Sequence, residues 1–271
     1  MLTLCGCTTK ANSGEIIPGT SDTEGVKPQN PALPPFDMED LPSNSEDNED
    51  SQGNSSNSSQ NSKKKIYIKS NTDGLNVRSG AGNYKVVGAM DKNDMLEYHG
   101  TEGNYYKTVF KEKTAYVYKD YTELLEFDIG SDEVESAISF GASLMGYPYV
   151  WGSQRYHWGN GKLNSNFVNG EFDCSALVQY VYFKTNKVIL DMTSRTQSLN
   201  GVKVEKKDLR RGDLMFFTNA SRKNKTGIER IGHVGIYFGG NYILHTASDY
   251  AVIEPISNLR WSYYITARRV V

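Results

Sequence analysis

Helical and strand-forming patterns are segregated along the second half of this 271-residue chain, and that order limits its fold more than any other feature. From Ser131, SDEVESAISFGASLMG places apolar residues at Val134, Ala137, Ile138, Phe140, Ala142, Leu144 and Met145. With Ser131 as N-cap and Asp132 and Glu133 in the first turn, this spacing predicts a helix ending near Gly146. An aromatic loop follows over 147–152, and a Gly- and Asn-rich stretch over 154–172 predicts an irregular excursion. A second helix is expected from Ser175 to about Lys184, with Ala176, Leu177, Tyr180, Val181 and Phe183 on its apolar face. A short third helix is expected over Thr193–Leu199. Only strand patterns come after it: DLMFFT, GHVGIYFG, YILHTA, AVIEPI and YYITARRVV. Helices first and a mostly antiparallel sheet second give an α+β domain, set at residues 130–271.

Residues 63–127 read differently. IYIKS, VVGAM, MLEYHG, YYKTVF and TAYVYKDY are short β-rich runs parted by Gly- and Asn-containing turns, the spacing of a small all-β barrel. Ahead of them, residues 8–62 are Pro-rich and then acidic and Ser/Asn-rich, a composition that cannot bury enough apolar surface to fold. A flexible segment of that length spans roughly 40 Å. It holds Lys10, Lys27 and ten acids, a net of −8, so the rest of the chain is about +6 against the whole-chain −2. A mildly basic folded part with no dense Lys/Arg cluster tolerates an acidic polymer but argues against nucleic acid as a partner. No later stretch approaches a transmembrane span. The start, MLTLCGC, resembles a bacterial lipobox, with residues 1–7 as the remnant of a lipoprotein signal. In that reading Cys7 is lipidated and becomes the N-terminus, the protein is extracytoplasmic, and Cys174 is its remaining thiol. A membrane would then be a partner only through that anchor.

Cys174 stands at the predicted start of the second helix, where unpaired backbone N–H groups favour a thiolate. A lone buried cysteine is most often a small core hydrophobe, but the Asp173-Cys174-Ser175 setting is polar and points to an edge. A base is needed next. His233 and His245 lie twelve residues apart with Gly239-Gly240-Asn241 between them as a hairpin turn. Paired strands can place both imidazoles on one face, one to ion-pair with the thiolate and the other to orient the first. The blander readings are a strand-capping His233 and a hydrogen-bonded core His245. A zinc site from Cys174, His233, His245 and Asp173 is disfavoured because no CxxC or HxxxH pair is present, so no metal and no cofactor is expected.

Two resemblances sharpen this. DGLNVRSGAGNYKVVGAM resembles the opening of bacterial SH3-like domains, which implies a wall-associated module at 63–127. PYVWG at 148–152, FDCSALVQYVY at 172–182, TSRTQ at 193–197, LRRGDLMFF at 209–217, GHVGIYFGGNYILHTA at 232–247 and ARR at 267–269 occur in one order. Together they resemble the NlpC-type cell-wall cysteine peptidases. The resemblance implies a papain-like fold for 130–271, with Cys174 as nucleophile, His233 as base and His245 as its orienting partner. It implies Tyr149 at the oxyanion pocket, with Asp173, Ser175 and Ser194 as substrate contacts. It implies cleavage of the γ-D-glutamyl to diamino acid bond in peptidoglycan stem peptides by a monomer. Asp173 would then pair with a free alanyl amine, joined in related enzymes by an acid from the SH3-like domain. A wall amidase or a transferase would use the same trio, and a catalytically silent wall-binding protein would need a broken one. The chain departs from the family pattern at Ser153 and Ala176, where Gly is usual, at Met192, where Arg is common, and in a longer 154–171 loop.

Overall fold

A computed structural model describes residues 63–246 and 249–271. The expected linker and the lipidation site at Cys7 lie outside the described residues. The first part is all strand: β1 (Lys64–Ser70), β2 (Leu75–Arg78), β3 (Val86–Met90), β4 (Met95–Glu97), β5 (Gly100–Glu102), β6 (Tyr105–Phe110), β7 (Lys113–Tyr118) and β8 (Thr122–Asp128). These make a five-stranded sheet in the order β3-β2-β7-β6-β5 and a three-stranded sheet in the order β4-β1-β8. The sequence patterns anticipate β1, β3, β4, β6 and β7 but not β2, β5 or β8, the last of which pairs antiparallel with β1 from Lys64↔Asp128 to Ser70↔Thr122. Its alternating Leu and Glu residues lie on an exposed edge, so the apolar signal is diluted.

The second part begins with α1 (Asp132–Ser143), where the Ser131 hydroxyl accepts from the Val134 N–H as an N-cap should. After the long loop comes α2 (Cys174–Asn186), then α3 (Ser194–Gln197), capped by Thr193 in a capping box. A six-stranded antiparallel sheet follows from β9 (Val202–Val204), β10 (Leu214–Phe217), β11 (His233–Gly239), β12 (Tyr242–Thr246), β13 (Ala251–Pro255) and β14 (Tyr264–Arg269), in the order β13-β12-β11-β10-β14-β9. A short α4 (Asn258–Ser262) joins β13 to β14. The expected order of helices before antiparallel strands is therefore present, with β9 and α4 added.

Two differences bear on the site. The second helix starts one residue earlier than its apolar spacing suggests, so Cys174 is its first residue and Asp173 its N-cap. The helix is also not amphipathic: every residue from Cys174 to Tyr182 is buried, because α2 lies between α1 on one side and β11 and β12 on the other. The polar flanks of Cys174 are thus satisfied inside the protein rather than by water.

One apolar core runs through both parts, from Tyr67, Ile68 and Phe110 to Ile138, Leu144 and Met145. Arg211 fastens it. Its guanidinium pairs with Glu135 of α1 at 2.6 Å, donates to the Tyr67 hydroxyl of β1 at 2.8 Å, and lies 4.2 Å from the centre of the Phe238 ring. At the opposite side, the Phe110 ring occupies the space a side chain at Gly146 would need: a Cβ there would come within 2.0 Å of it.

Candidate active site

The site is built where the N-terminus of α2 meets β11. At Cys174 the Val234 and Ser175 backbone N–H groups point at the sulfur, which sets the thiol beside the start of β11, where Val234 follows His233 in sequence. Those N–H groups and the Arg155 charge favour a thiolate. Burial outweighs them, with help from the Asp173 carboxylate, and pushes the thiol up to about 11. The helix start alone therefore does not deliver a thiolate; the proton needs a nearby acceptor.

His233 and His245 do meet. Gly235, two residues on from His233, shares its face of β11, and the β11–β12 register places His245 opposite Gly235. A Cβ at Gly235 would lie 2.9 Å from the His245 Cβ and 2.6 Å from Ile243 Cδ1, so the bare glycine is what allows His245 to close on the strand. His233 Nε2 and His245 Nδ1 are then 2.9 Å apart, with the rings nearly perpendicular. A second diagonal continues onto β13, where His245 Nε2 is 2.8 Å from Glu254 Oε1. Arg260, on α4, donates to the same oxygen at 3.1 Å.

This chain of contacts fixes the tautomers. An ionised Glu254 can only accept, so His245 Nε2 carries the hydrogen. His245 Nδ1 then accepts from His233 Nε2–H, and the lone pair of His233 is left on Nδ1. Glu254 stays ionised: burial presses its carboxyl upward, but the hydrogen bond from His245 and the Arg260 charge hold it below the usual carboxylate range. Burial also holds both histidines neutral. His233 lies well below its ordinary value, lowered further by His245 and Arg260. His245 is lowered less, because Glu254 opposes the effect.

A cleft of about 390 Å³ opens at the thiol, and Tyr149, Asp173, Ser175 and Ser194 all line it. Tyr149 is anchored by its N–H to the Asp249 carbonyl at 2.9 Å, and burial raises its hydroxyl, with the neighbouring Cys174 and Asp173 adding to the effect. A second cavity of about 260 Å³ is bordered by His233, Phe217, Asn219, Arg260 and Tyr263.

Asp173 is not free. Its Oδ1 accepts from the Ala176 N–H at 2.9 Å and the Ser175 hydroxyl at 3.0 Å, and its Oδ2 accepts from Arg155 Nη2 at 2.9 Å. The same Arg155 nitrogen reaches Ser175 Oγ at 2.8 Å, while Nη1 and Nε donate to the Ser153 and Met192 carbonyls. Arg155 comes from the irregular loop, whose sequence carries no periodic signal that could have marked it. Glu254 was legible in principle, as an acid in an otherwise apolar strand of AVIEPI. Among the described residues, no group of three or more His, Cys, Asp or Glu side chains could hold a metal ion.

The chain is similar to several known proteins. Over 143 residues the chain is 34% identical to a peptidoglycan DL-endopeptidase of Bacillus licheniformis, covering 51% of this chain and 28% of that protein. Over 159 residues it is 30% identical to a γ-D-glutamyl-L-lysine dipeptidyl-peptidase of Bacillus subtilis, covering 58% and 46%. The chain thus matches less than half the length of either relative. A crystal structure of an NlpC/P60 family protein from Bacillus cereus aligns over 76% of this chain and 63% of its own, with a TM-score of 0.41 and 22% identity. Family models match at residues 73–123, the bacterial SH3 domain, and at residues 146–270, the NlpC/P60 family. The chain carries an NlpC/P60-family domain preceded by a bacterial SH3 domain.

Proposed function

We propose that this protein is a peptidoglycan hydrolase, a cysteine endopeptidase that cuts the amide between the D-Glu side chain and the diamino acid of wall stem peptides. The observation that carries the reading is the relay His233–His245–Glu254, at 2.9 and 2.8 Å, beside a thiol at the first residue of a helix. The names of the Bacillus relatives support the substrate class. In this reading residues 130–271 are a papain-like catalytic domain and 63–127 a small SH3-like barrel. A monomer anchored through Cys7 on the outer side of the membrane, with 8–62 as tether, completes the proposal.

The reaction uses only groups of this chain and water. His233 Nδ1 takes the thiol proton as Cys174 Sγ attacks the scissile carbonyl carbon. Burial holds the thiol up and the imidazole down, which favours the neutral pair before attack. The oxyanion is met by the Cys174 N–H and the Tyr149 hydroxyl. His233 then gives its proton to the leaving amine, the C–N bond breaks, and a thioester remains. Water, deprotonated by His233, attacks the thioester and regenerates the thiol. The positive charge that forms on His233 is stabilised through His245 by Glu254.

The test is digestion of purified wall and of soluble stem peptides by the wild type and by Cys174→Ala, with products read by mass spectrometry. Loss of all γ-D-glutamyl cleavage in Cys174→Ala is the expected result. Identical products from both proteins refute a cysteine mechanism, and glycan released at the lactyl amide supports an amidase on the same fold.

A further inference from the structure

The cleft at the thiol carries a charge pattern that selects one form of the stem peptide. Its lining includes Arg155, Arg195 and Arg222, and Asp173 is the one acid among the described residues that border it. That acid is saturated by the Arg155 guanidinium, the Ser175 hydroxyl and the N-cap bond to α2. Arg155 is itself largely buried, with 12% of its side chain exposed, and is held in place by two backbone carbonyls. It is therefore a fixed part of the wall and not a surface arm that a ligand could push aside. The nearby Glu229 does not border the cleft and is paired with both Arg195 and Arg222, at 3.5 and 3.2 Å. No residue of 63–127 borders the cleft, so no acid from that part joins Asp173.

A free alanyl amine is an ammonium at neutral pH, with an ordinary pKa near 8. Entering this cleft it would find a carboxylate already paired with Arg155, and two more guanidinium groups, Arg195 and Arg222, that share the single carboxylate of Glu229. An alanyl nitrogen that is acylated, as it is in a stem still joined to its sugar, is neutral and brings no such repulsion. Trp151 stands on the same rim, 85% exposed, and offers a flat apolar face to whatever lies beyond the stem. We infer that Arg155 makes this protein selective for stems whose alanyl nitrogen is acylated, that is, for peptide still attached to glycan, over released peptides with a free amine. This inference rests on the proposed γ-D-glutamyl cleavage and narrows its substrate.

The experiment compares L-Ala-γ-D-Glu-diaminopimelate with its N-acetyl counterpart, each incubated with the full-length protein at pH 6.5 and at pH 9. At pH 6.5 the acetylated peptide is expected to show a kcat/KM about tenfold higher, as one unscreened like-charge contact in a partly buried site predicts. At pH 9 the free amine is largely neutral and the ratio is expected to fall toward one. A free-amine peptide cleaved as well as the acetylated one at pH 6.5 overturns the inference and leaves the proposed function standing. Cleavage of neither overturns both. Arg155→Gln, which releases Asp173, is expected to bring the pH 6.5 ratio to one or below, and a folded variant with the ratio unchanged overturns the role of Arg155. Should that variant fail to fold, the pH series on the wild type decides alone, since a ratio that does not move with pH is equally contrary.

Discussion

Glu254→Gln isolates what the third carbonyl-bearing strand residue contributes to the relay. Glutamine keeps the size of the side chain and an oxygen for His245, but removes the charge. The two contacts of 2.9 and 2.8 Å, with one imidazole between them, set the carboxylate roughly 8 Å from the far side of the relay, where a unit charge at an effective dielectric of about 20 contributes about 2 kcal/mol. Arg260, bonded to the same oxygen at 3.1 Å, cancels part of this, leaving about 1–1.5 kcal/mol for the imidazolium that forms on His233. At about 1.4 kcal/mol per factor of ten, kcat should fall roughly tenfold with KM little changed, because the charge on His233 exists in the transition state and not in bound substrate. The assay is kcat and KM from pH 5 to 9 on one soluble peptide, alongside thermal unfolding. A merely structural residue would lower activity in step with stability and leave the shape of the pH profile unchanged. Unaltered kcat, or a fall confined to KM, would refute the assignment of Glu254 to the relay.

Two further predictions concern the scaffold of the site. Gly235→Ala should cost about 1–3 kcal/mol in chemical denaturation and reduce turnover, since the new methyl must displace Ile243 or part β11 from His245; full stability with full activity would show that the close approach is not required. Acid should destabilise the fold early. His233 and His245 are held below 6.5 by burial, so below about pH 6.5 the unfolded chain binds protons that the folded chain does not, and stability falls as pH drops. Glu254, held below its ordinary 4.5, adds a loss in the same direction at lower pH. Denaturant midpoints measured from pH 7.5 to 5.5 check the sign, and a midpoint that rises on acidification would contradict it.

Local signals carried far in this sequence where the side chains answer to local rules. Ser131 and Thr193 announce helix starts because an N-cap is read within one turn. The Gly239-Gly240-Asn241 turn announces a hairpin, and all three have positive φ, the conformation such a turn needs. From the hairpin, the meeting of His233 and His245 follows by strand periodicity. Arg155 was not legible, and Glu254 only as an acid out of place in an apolar strand, because their roles depend on elements distant in the chain: a loop residue meets an N-cap eighteen positions away, and a β13 acid meets a β12 imidazole across a register no local pattern specifies. The setting of the thiol was legible only in part. The helix start was visible, whereas the depth at which α2 is buried was not, and burial decides its protonation.

The Arg211 clasp and the Phe110–Gly146 contact have a consequence for how such a protein works on a mesh. A module joined by a loose linker samples many distances from its catalytic partner. Here the two parts share one apolar core and a nearly dry ion pair, Arg211–Glu135, with side chains 8% and 9% exposed. Anything gripped by the β-rich part is consequently held at a set distance and angle from Cys174. Under the proposed function the joint would act as a ruler, with the spacing between a grip point and a cut point along the polymer written into the fold itself.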